Sequence, residues 1–408
     1  MNAESDRRSG SYVQQPRGYR AFLPKPLPPQ PPVRMDDEMW MVLSEADRAL
    51  GRLDGATETL PNPDLFVFMY VRKEAVLSSQ IEGTQASLID VLEFEANALE
   101  RGNDYDVTEV INYVSAMNYA LNRVKQMPLS LRLLREIHGT LMAGTRGGER
   151  NPGEFRTSQN WIGPLRNHDL STARYVPPPP YEMQVALGNL EGFLYDPHPM
   201  PVLIRVGLVH AQFETIHPFL DGNGRMGRLL ITFLLCEKDI VKRPLLYLSY
   251  YFKQHRQEYY NLLQATRDAG DWESWLKFFL DGVRSVADEA IRTARDIIAM
   301  RAAHREMVRE RFGRGAARAL LAVEGLYFNP IVSVNWVMER TDLSFARANA
   351  LVRGLVDLGL LAEITGLKRN RRFSYEPYLA LFADPPTETP EVEKAEGRFP
   401  VSAGETLL

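Results

Sequence analysis

Twelve consecutive residues gather the parts for phosphate chemistry: His217-Pro218-Phe219-Leu220-Asp221-Gly222-Asn223-Gly224-Arg225-Met226-Gly227-Arg228. They hold a base, a carboxylate, a glycine-flanked turn and two arginines three residues apart. The apolar run Leu229-Leu230-Ile231-Thr232-Phe233-Leu234-Leu235 follows at once, so the turn opens a helix. A Gly-Asn-Gly turn at a helix start aims free backbone N–H groups at one point, and the helix dipole adds positive potential there. Arg225 and Arg228 fall on one face of the first turn and extend that cradle along a polyphosphate. Asp221 can hold magnesium through one carboxylate. His217 titrates near neutrality and can take a proton from a hydroxyl.

The stretch resembles the signature of the Fic family, H-x-F-x-[DE]-G-N-G-R-x-x-R, and matches it at every fixed position. The resemblance implies transfer of AMP from ATP to a side-chain hydroxyl of a protein. It makes His217 the base, Asp221 the metal anchor and Gly222, Asn223 and Gly224 the phosphate-binding turn. It places Arg228 on the γ-phosphate and Arg225 on the β-phosphate.

Three competing readings fit less well. Gly222, Gly224 and Gly227 also satisfy the G-x-G-x-x-G dinucleotide fingerprint, which requires a strand just before it. Residues 201–216 instead place Leu203, Val206, Val209, Phe213 and Ile216 at helical spacing. A phosphate-transferring relative of the family carries alanine for the acidic residue and lysine for the second glycine, which Asp221 and Gly224 contradict. A plain glycine-rich helix cap explains neither arginine nor Asp221.

These residues need elements to position them. The 408-residue chain has room for two or three domains. Its net charge of −4 gives no general pull toward nucleic acid or membrane. Cys236, the single cysteine, lies in an apolar helical run and allows no disulfide within the chain. The polar start lacks a secretory h-region, and no apolar run is long enough to span a membrane, so a cytoplasmic protein is expected.

Residues 1–35 are polar and then proline-rich. They read as a surface tail without a core of its own, in preference to an SH3-type ligand. Amphipathic helices follow over 36–57 and 62–82, the second closed by Gly83. A capping box at Ser87-Leu88-Ile89-Asp90 opens a third, and 106–126 and 130–144 complete the set. Residues 146–180 break the pattern as a hairpin and a proline strap. Helices resume over 181–195, 201–216, 225–238, 250–269 and 272–302. Residues 312–380 change character again. Short helices at 334–339 and 345–358, then Leu361–Ile364, a basic turn and Arg371–Tyr375, suggest a winged helix. The division expected is a proline-rich arm and inhibitory region (1–100), a catalytic domain (101–285), a linker helix (286–311), the winged helix (312–383) and a disordered tail (384–408). The fold class is mainly α: a Fic-type helical bundle with a β-hairpin flap, followed by the winged-helix domain.

Other constellations take meaning beside the signature. Ser78, Glu82 and Gly83 look bland alone, since a glutamate at a helix C-terminus opposes the dipole. They match the family's inhibitory pattern [ST]-x-x-x-E-[GN], which implies that Glu82 pairs with Arg228 and displaces the γ-phosphate. Asn160, Trp161, Ile162 and Gly163, with Tyr175-Val176-Pro177-Pro178, resemble the family's flap, implying target registration by strand pairing. For Trp161 simple hairpin packing is the alternative. Pro164 removes one N–H donor there. Tyr251, Tyr259 and Tyr260 are the adenine-pocket candidates, although aromatics at this spacing more often build core. The remaining histidines show no zinc spacing.

The cofactors implied are ATP as substrate and Mg2+. The partners implied are a target protein and the chain itself, with a homodimer left open. Arg347, Asn349, Arg353 and Lys368 to Arg372 leave DNA open as a partner of the winged helix, on a weak basic footprint. The same site running backwards would remove AMP, and a DNA-binding regulator whose Fic body only senses nucleotide is the alternative. An intact His217 argues against a pure sensor.

Overall fold

The computed structural model describes residues 8–58, 63–96, 105–145, 148, 150–163, 170 and 173–383. Strands β1 (Gly10–Gln14) and β2 (Arg20–Pro24) form an antiparallel hairpin where only a surface tail was expected. Ala21 and Phe22 are fully buried, and the Phe22 N–H donates to the Val176 carbonyl at 2.9 Å. The partners that bury this hairpin lie some 150 residues away, so no local pattern announces it. The prolines that follow are held by Arg8, which donates to the Pro31 and Pro32 carbonyls and pairs with Glu273 at 2.8 Å.

The helical body runs through α1 (Asp37–Glu58), α2 (Pro63–Ile81), α3 (Leu88–Ala96), α4 (Tyr105–Val124) and α5 (Leu131–Leu141). It continues with α6 (Pro180–Leu194), α7 (Val202–Ile216), α8 (Asn223–Glu237), α9 (Ser249–Gln254), α10 (Arg256–Ala269) and α11 (Trp272–Phe312). The starts follow local chemistry. Ser87 and Asp90 exchange bonds as a capping box, and the Ser130 hydroxyl accepts from Leu133 N–H. Two helices depart from the sequence reading. The helix expected over 250–269 breaks at His255, whose ring packs on Tyr251 while Phe252 stacks on Tyr259. There is no Pro or Gly at the break, so packing sets it. The helix expected to stop at 302 continues unbroken to Phe312.

Helix α7 sits at the centre. Nearly every residue from Leu203 to Ile216 is buried, as an apolar helix enclosed on all sides requires. It meets α11 closely at Gly207, whose carbonyl accepts from Trp275 Nε1 at 2.9 Å; a Cβ there would stand 2.8 Å from Leu276.

The C-terminal unit is α12 (Ala316–Leu326), β3 (Ile331–Ser333), α13 (Val334–Thr341), α14 (Phe345–Asp357), β4 (Ala362–Glu363), β5 (Arg372–Ser374) and α15 (Glu376–Ala380). Its strands form one antiparallel sheet in the order β3-β5-β4. The unit packs on α2 through Phe68 against Phe328 and Tyr70 against Phe382. The disorder expected over 384–408 lies outside the described residues. No helix among the described residues is long and apolar enough to cross a membrane.

Candidate active site

The signature loop joins α7 to α8. His217 closes α7 in the left-handed conformation (φ 50°, ψ 61°), which is strained for a residue with a Cβ. The surroundings hold it there. Arg156, buried, donates from Nε to the His217 carbonyl at 2.9 Å and from Nη2 to the Pro178 carbonyl. Asn223 braces the loop from the other end: its Oδ1 accepts from Phe219 N–H and its Nδ2 donates to the Phe219 carbonyl, both at 2.8 Å. Gly222 stands at φ 74° as the N-cap of α8. The first bond of the helix runs from Met226 N–H to the Gly222 carbonyl, so the N–H groups of residues 223–225 precede the helical ladder.

The His217 ring is buried, and neither of its nitrogens has a hydrogen-bond partner. Burial, with the Arg156 and Arg267 charges adding to it, pushes its pKa down to about 3, against a small upward pull from the Glu214 carbonyl. The ring is therefore neutral and free to accept a proton. Asp221 is partly exposed. Its Oδ1 accepts from Gly222 N–H at 2.7 Å, while Oδ2 faces Arg150 at 3.7 Å, beyond hydrogen-bond range. His138 takes the Gly153 N–H on Nδ1, so its Nε2 carries the proton and donates to the Asp221 carbonyl at 3.0 Å. It also stacks on Phe219 at 3.7 Å.

Arg228 and Glu82 meet as an ion pair at 2.6 Å. Nε of Arg228 donates to the Ser78 hydroxyl at 2.8 Å, and Nη2 also reaches the Ser78 carbonyl at 3.0 Å. The contact follows from how α2 ends. Gly83 N–H donates to Gln80 and Thr84 N–H to Ser79, a Schellman cap with Gly83 at φ 101°. That cap pairs the Ser79 and Gln80 carbonyls and leaves the Ser78 carbonyl to the guanidinium. Burial, the largest single influence, opposes the Arg228 charge, but Glu82 together with Tyr259, Tyr260 and Glu214 outweighs it and holds the pKa above its ordinary value. The Glu82 carboxylate also lies against Gly224, where a Cβ would be 2.1 Å from Oε1.

Arg225 behaves differently. It is buried, faces Glu109 at 3.7 Å and donates to Met142 Sδ. It does not line the cavity that holds His217 and Arg228. That cavity is bounded by Glu82, Glu214, Tyr259, Tyr260, Arg267 and, from the flap, Ile162 and Tyr175. Its free volume is about 80 Å³, below the several hundred Å³ typical of a nucleotide-sized pocket. Tyr259 and Tyr260 thus reach the site. Tyr251 does not line it; its ring packs on Phe278 and beside Gly282.

The flap is an antiparallel bridge between Ile162 and Tyr175, with N–H to carbonyl distances of 2.8 and 3.0 Å. Trp161 is buried with Ala21 and Val176, and Gly163 passes close to the Ala173 backbone. Asn160 is buried with its amide on the Phe219 carbonyl at 2.8 Å, so its side chain supports the signature loop. Pro164 lies outside the described residues.

Sequence reasoning passed over three residues. Arg156 sits in an irregular stretch. Arg267 donates to Thr215 Oγ1 and stands 4.0 Å over the Tyr175 ring. Glu214 reads as an ordinary helical glutamate, yet it is buried in the cavity wall. No motif marks any of them. Among the described residues no group of three or more His, Cys, Asp or Glu gathers to hold a metal unaided.

Residues 40–122 match the Fic/DOC family N-terminal domain, and residues 128–235 match the Fic/DOC family domain itself. Over these residues the chain carries a Fic/DOC N-terminal domain followed by a Fic/DOC domain. The Fic domain thus ends on α8 and includes every signature residue. Similar proteins include the protein adenylyltransferases Fic of Culex quinquefasciatus, 29% identical over 217 residues, and of Aedes aegypti, 29% identical over 222. Each match takes in 51% of this chain and 39% of the relative, so the chain spans about two fifths of those proteins' length. A Fic family protein from Desulfovibrio desulfuricans G20 superposes with a TM-score of 0.55 at 21% identity, covering 84% of this chain and 97% of that one. At that identity the likeness concerns the fold.

Proposed function

We propose that the chain is a protein adenylyltransferase that moves AMP from ATP to a Ser, Thr or Tyr hydroxyl of a protein, itself included, and that Glu82 holds it inactive. The observation that carries this reading is the neutral, unpartnered His217 beside the free N–H groups that open α8. His217 takes the proton of the hydroxyl. The oxygen attacks the α-phosphorus, and pyrophosphate leaves as the new P–O bond forms. The turn at Gly222, Asn223 and Gly224 holds phosphate oxygens, and Arg228 binds the γ-phosphate once Glu82 withdraws. Arg225 reaches the phosphates only by leaving Glu109. Tyr259 and Tyr260 receive the base, and the Ile162 edge of the flap receives the target backbone. Asp221, whose Oδ2 makes no hydrogen bond and faces Arg150 at 3.7 Å, would hold a magnesium ion bound with the triphosphate, and the metal would offset the phosphate charge. Adding α-labelled ATP to the wild type, Glu82→Gly and His217→Ala tests the reading. Label should enter protein strongly in Glu82→Gly and not in His217→Ala. Equal labelling in all three would reject it.

A second reading concerns the C-terminal unit. The order α12, β3, α13, α14, β4, β5 supports a winged helix. Arg347, Arg353, Lys368 and Arg369 are exposed on α14 and the β4–β5 turn, which favours DNA as its ligand. Binding to duplex DNA with a steep salt dependence would support a regulator role, and salt-insensitive or absent binding would remove it.

A further inference from the structure

Glu214 is a buried carboxylate that the reaction as described does not use. It lies on α7 three residues before His217, so both side chains emerge from one face of the last turn. The residue is only 7% exposed, and Oε1 has no hydrogen-bond partner. Its carboxylate is pressed against α8 at Gly227, where a Cβ would stand 2.3 Å from Oε1. The charged groups around it are accounted for. Arg228 gives its Nε and Nη2 to Ser78 and Glu82, and Arg267 gives its Nε to Thr215 and its Nη2 to the Glu214 main-chain carbonyl. Tyr259, on the facing α10, has its hydroxyl on His210 Nε2 at 2.9 Å. Burial pushes the Glu214 carboxyl up to about 7, with Arg228 pulling it down and Glu82 raising it. An acceptor buried without a donor is costly unless a ligand supplies one.

Given the cavity as the ATP site, the chemistry of that donor is narrow. The phosphates of ATP are acceptors and repel a carboxylate. Its donors are the ribose hydroxyls and the exocyclic amine of the base. We propose that Glu214 is a nucleotide-recognition residue, accepting a hydrogen bond from the nucleoside end of ATP while the start of α8 holds the phosphate end. It sets an acceptor at Gly227, beside the anion donors at residues 223–225 and Arg228. The placement also explains Gly227, since any side chain there would displace the carboxylate.

The test is equilibrium binding, which does not depend on transfer. Affinities for ATP, 2′-deoxy-ATP, 3′-deoxy-ATP and purine riboside triphosphate are measured by calorimetry in Glu82→Gly and in Glu82→Gly carrying Glu214→Ala or Glu214→Gln. With Glu214 present, the analogue lacking the bonded donor should bind roughly 10- to 100-fold more weakly than ATP, and which analogue fails names the group. Glu214→Ala should bring all four nucleotides within about twofold, and Glu214→Gln, close in volume and still an acceptor, should retain part of the discrimination. A merely structural glutamate would weaken all four equally. Unchanged discrimination in a folded Glu214→Ala chain, or none with Glu214 present, overturns the assignment while leaving the ATP site standing. No ATP binding by any of the three proteins overturns the site and the assignment together.

Discussion

Arg228 is held by two kinds of acceptor, the Ser78 hydroxyl and carbonyl and the Glu82 carboxylate. Only the second competes with an anionic ligand for charge. Replacing Glu82 with Gly should therefore leave the guanidinium seated on Ser78 and free its outer face. If the lock is worth about 2–3 kcal/mol, transfer should rise roughly 30- to 150-fold. Labelling rates should show it, and adding Arg228→Ala should cancel the gain. No gain in a folded Glu82→Gly chain would mean that the ion pair is only structural. Asp221 gives a second residue-scale expectation. Its main chain is fixed by His138, so Asp221→Ala should keep the loop in place. Labelling by Glu82→Gly should then fall about 100-fold or more and respond less to added magnesium. An unchanged magnesium titration would take the metal away from Asp221.

At the scale of elements, the site depends on how closely α7 and α11 approach. Gly207→Val would drive a branched side chain into Leu276 and Phe279. The cost should be about 2–4 kcal/mol, read as a lower urea midpoint with an unchanged m-value. Stability equal to the wild type would show that the contact relaxes freely. This scale also shows what the sequence carried. The ends of α2 and α7 and the start of α8 were legible because Gly83, the His217 loop and Gly222 are local devices. The pairing of Glu82 with Arg228 was legible only through the family pattern. The β1–β2 hairpin was not, since its burial is supplied by Val176 and Tyr175. The break at His255 was not, because ring packing produces it. Glu214 was missed because, in a helix of apolar stripes, a lone glutamate beside Phe213 ordinarily faces water. Arg225 was assigned to phosphate from its spacing, while Glu109, on another helix, decides where it points.

For the whole molecule, buried ionisable groups set the pH response. Glu74 and Glu214 are pushed from 4.5 up to about 7, chiefly by burial. An acid whose folded pKa is raised contributes fully below its unfolded value and loses stability as pH rises through the folded one. His138, His210 and His217 are pushed from 6.5 down to about 4, 3 and 3 by burial. They act in the opposite sense and cost stability as pH falls below 6.5. Between pH 6 and 8 the two sets nearly cancel, so urea unfolding should change there by less than about 1 kcal/mol, and it should become easier by on the order of 2–3 kcal/mol as pH falls to 4.5, where three histidines outweigh two carboxyls. Glu74→Gln with Glu214→Gln should remove the opposing set and make stability rise between pH 6 and 8. A wild type equally stable at pH 4.5 and pH 7 would contradict this account.

The pairing of Phe22 with Val176 and of Arg8 with Glu273 also constrains the order of assembly. Residues 8–24 are synthesised well before the strand and helix that receive them. During that interval the hairpin has paired edges within itself but no core beneath Phe22. Two strands alone are marginal in water, so the segment stays unsettled until about 270 residues have emerged. Its docking then closes long loops, a slow class of contact. The Phe22–Val176 contact consequently forms late in assembly, after both of the segments that make it have been synthesised.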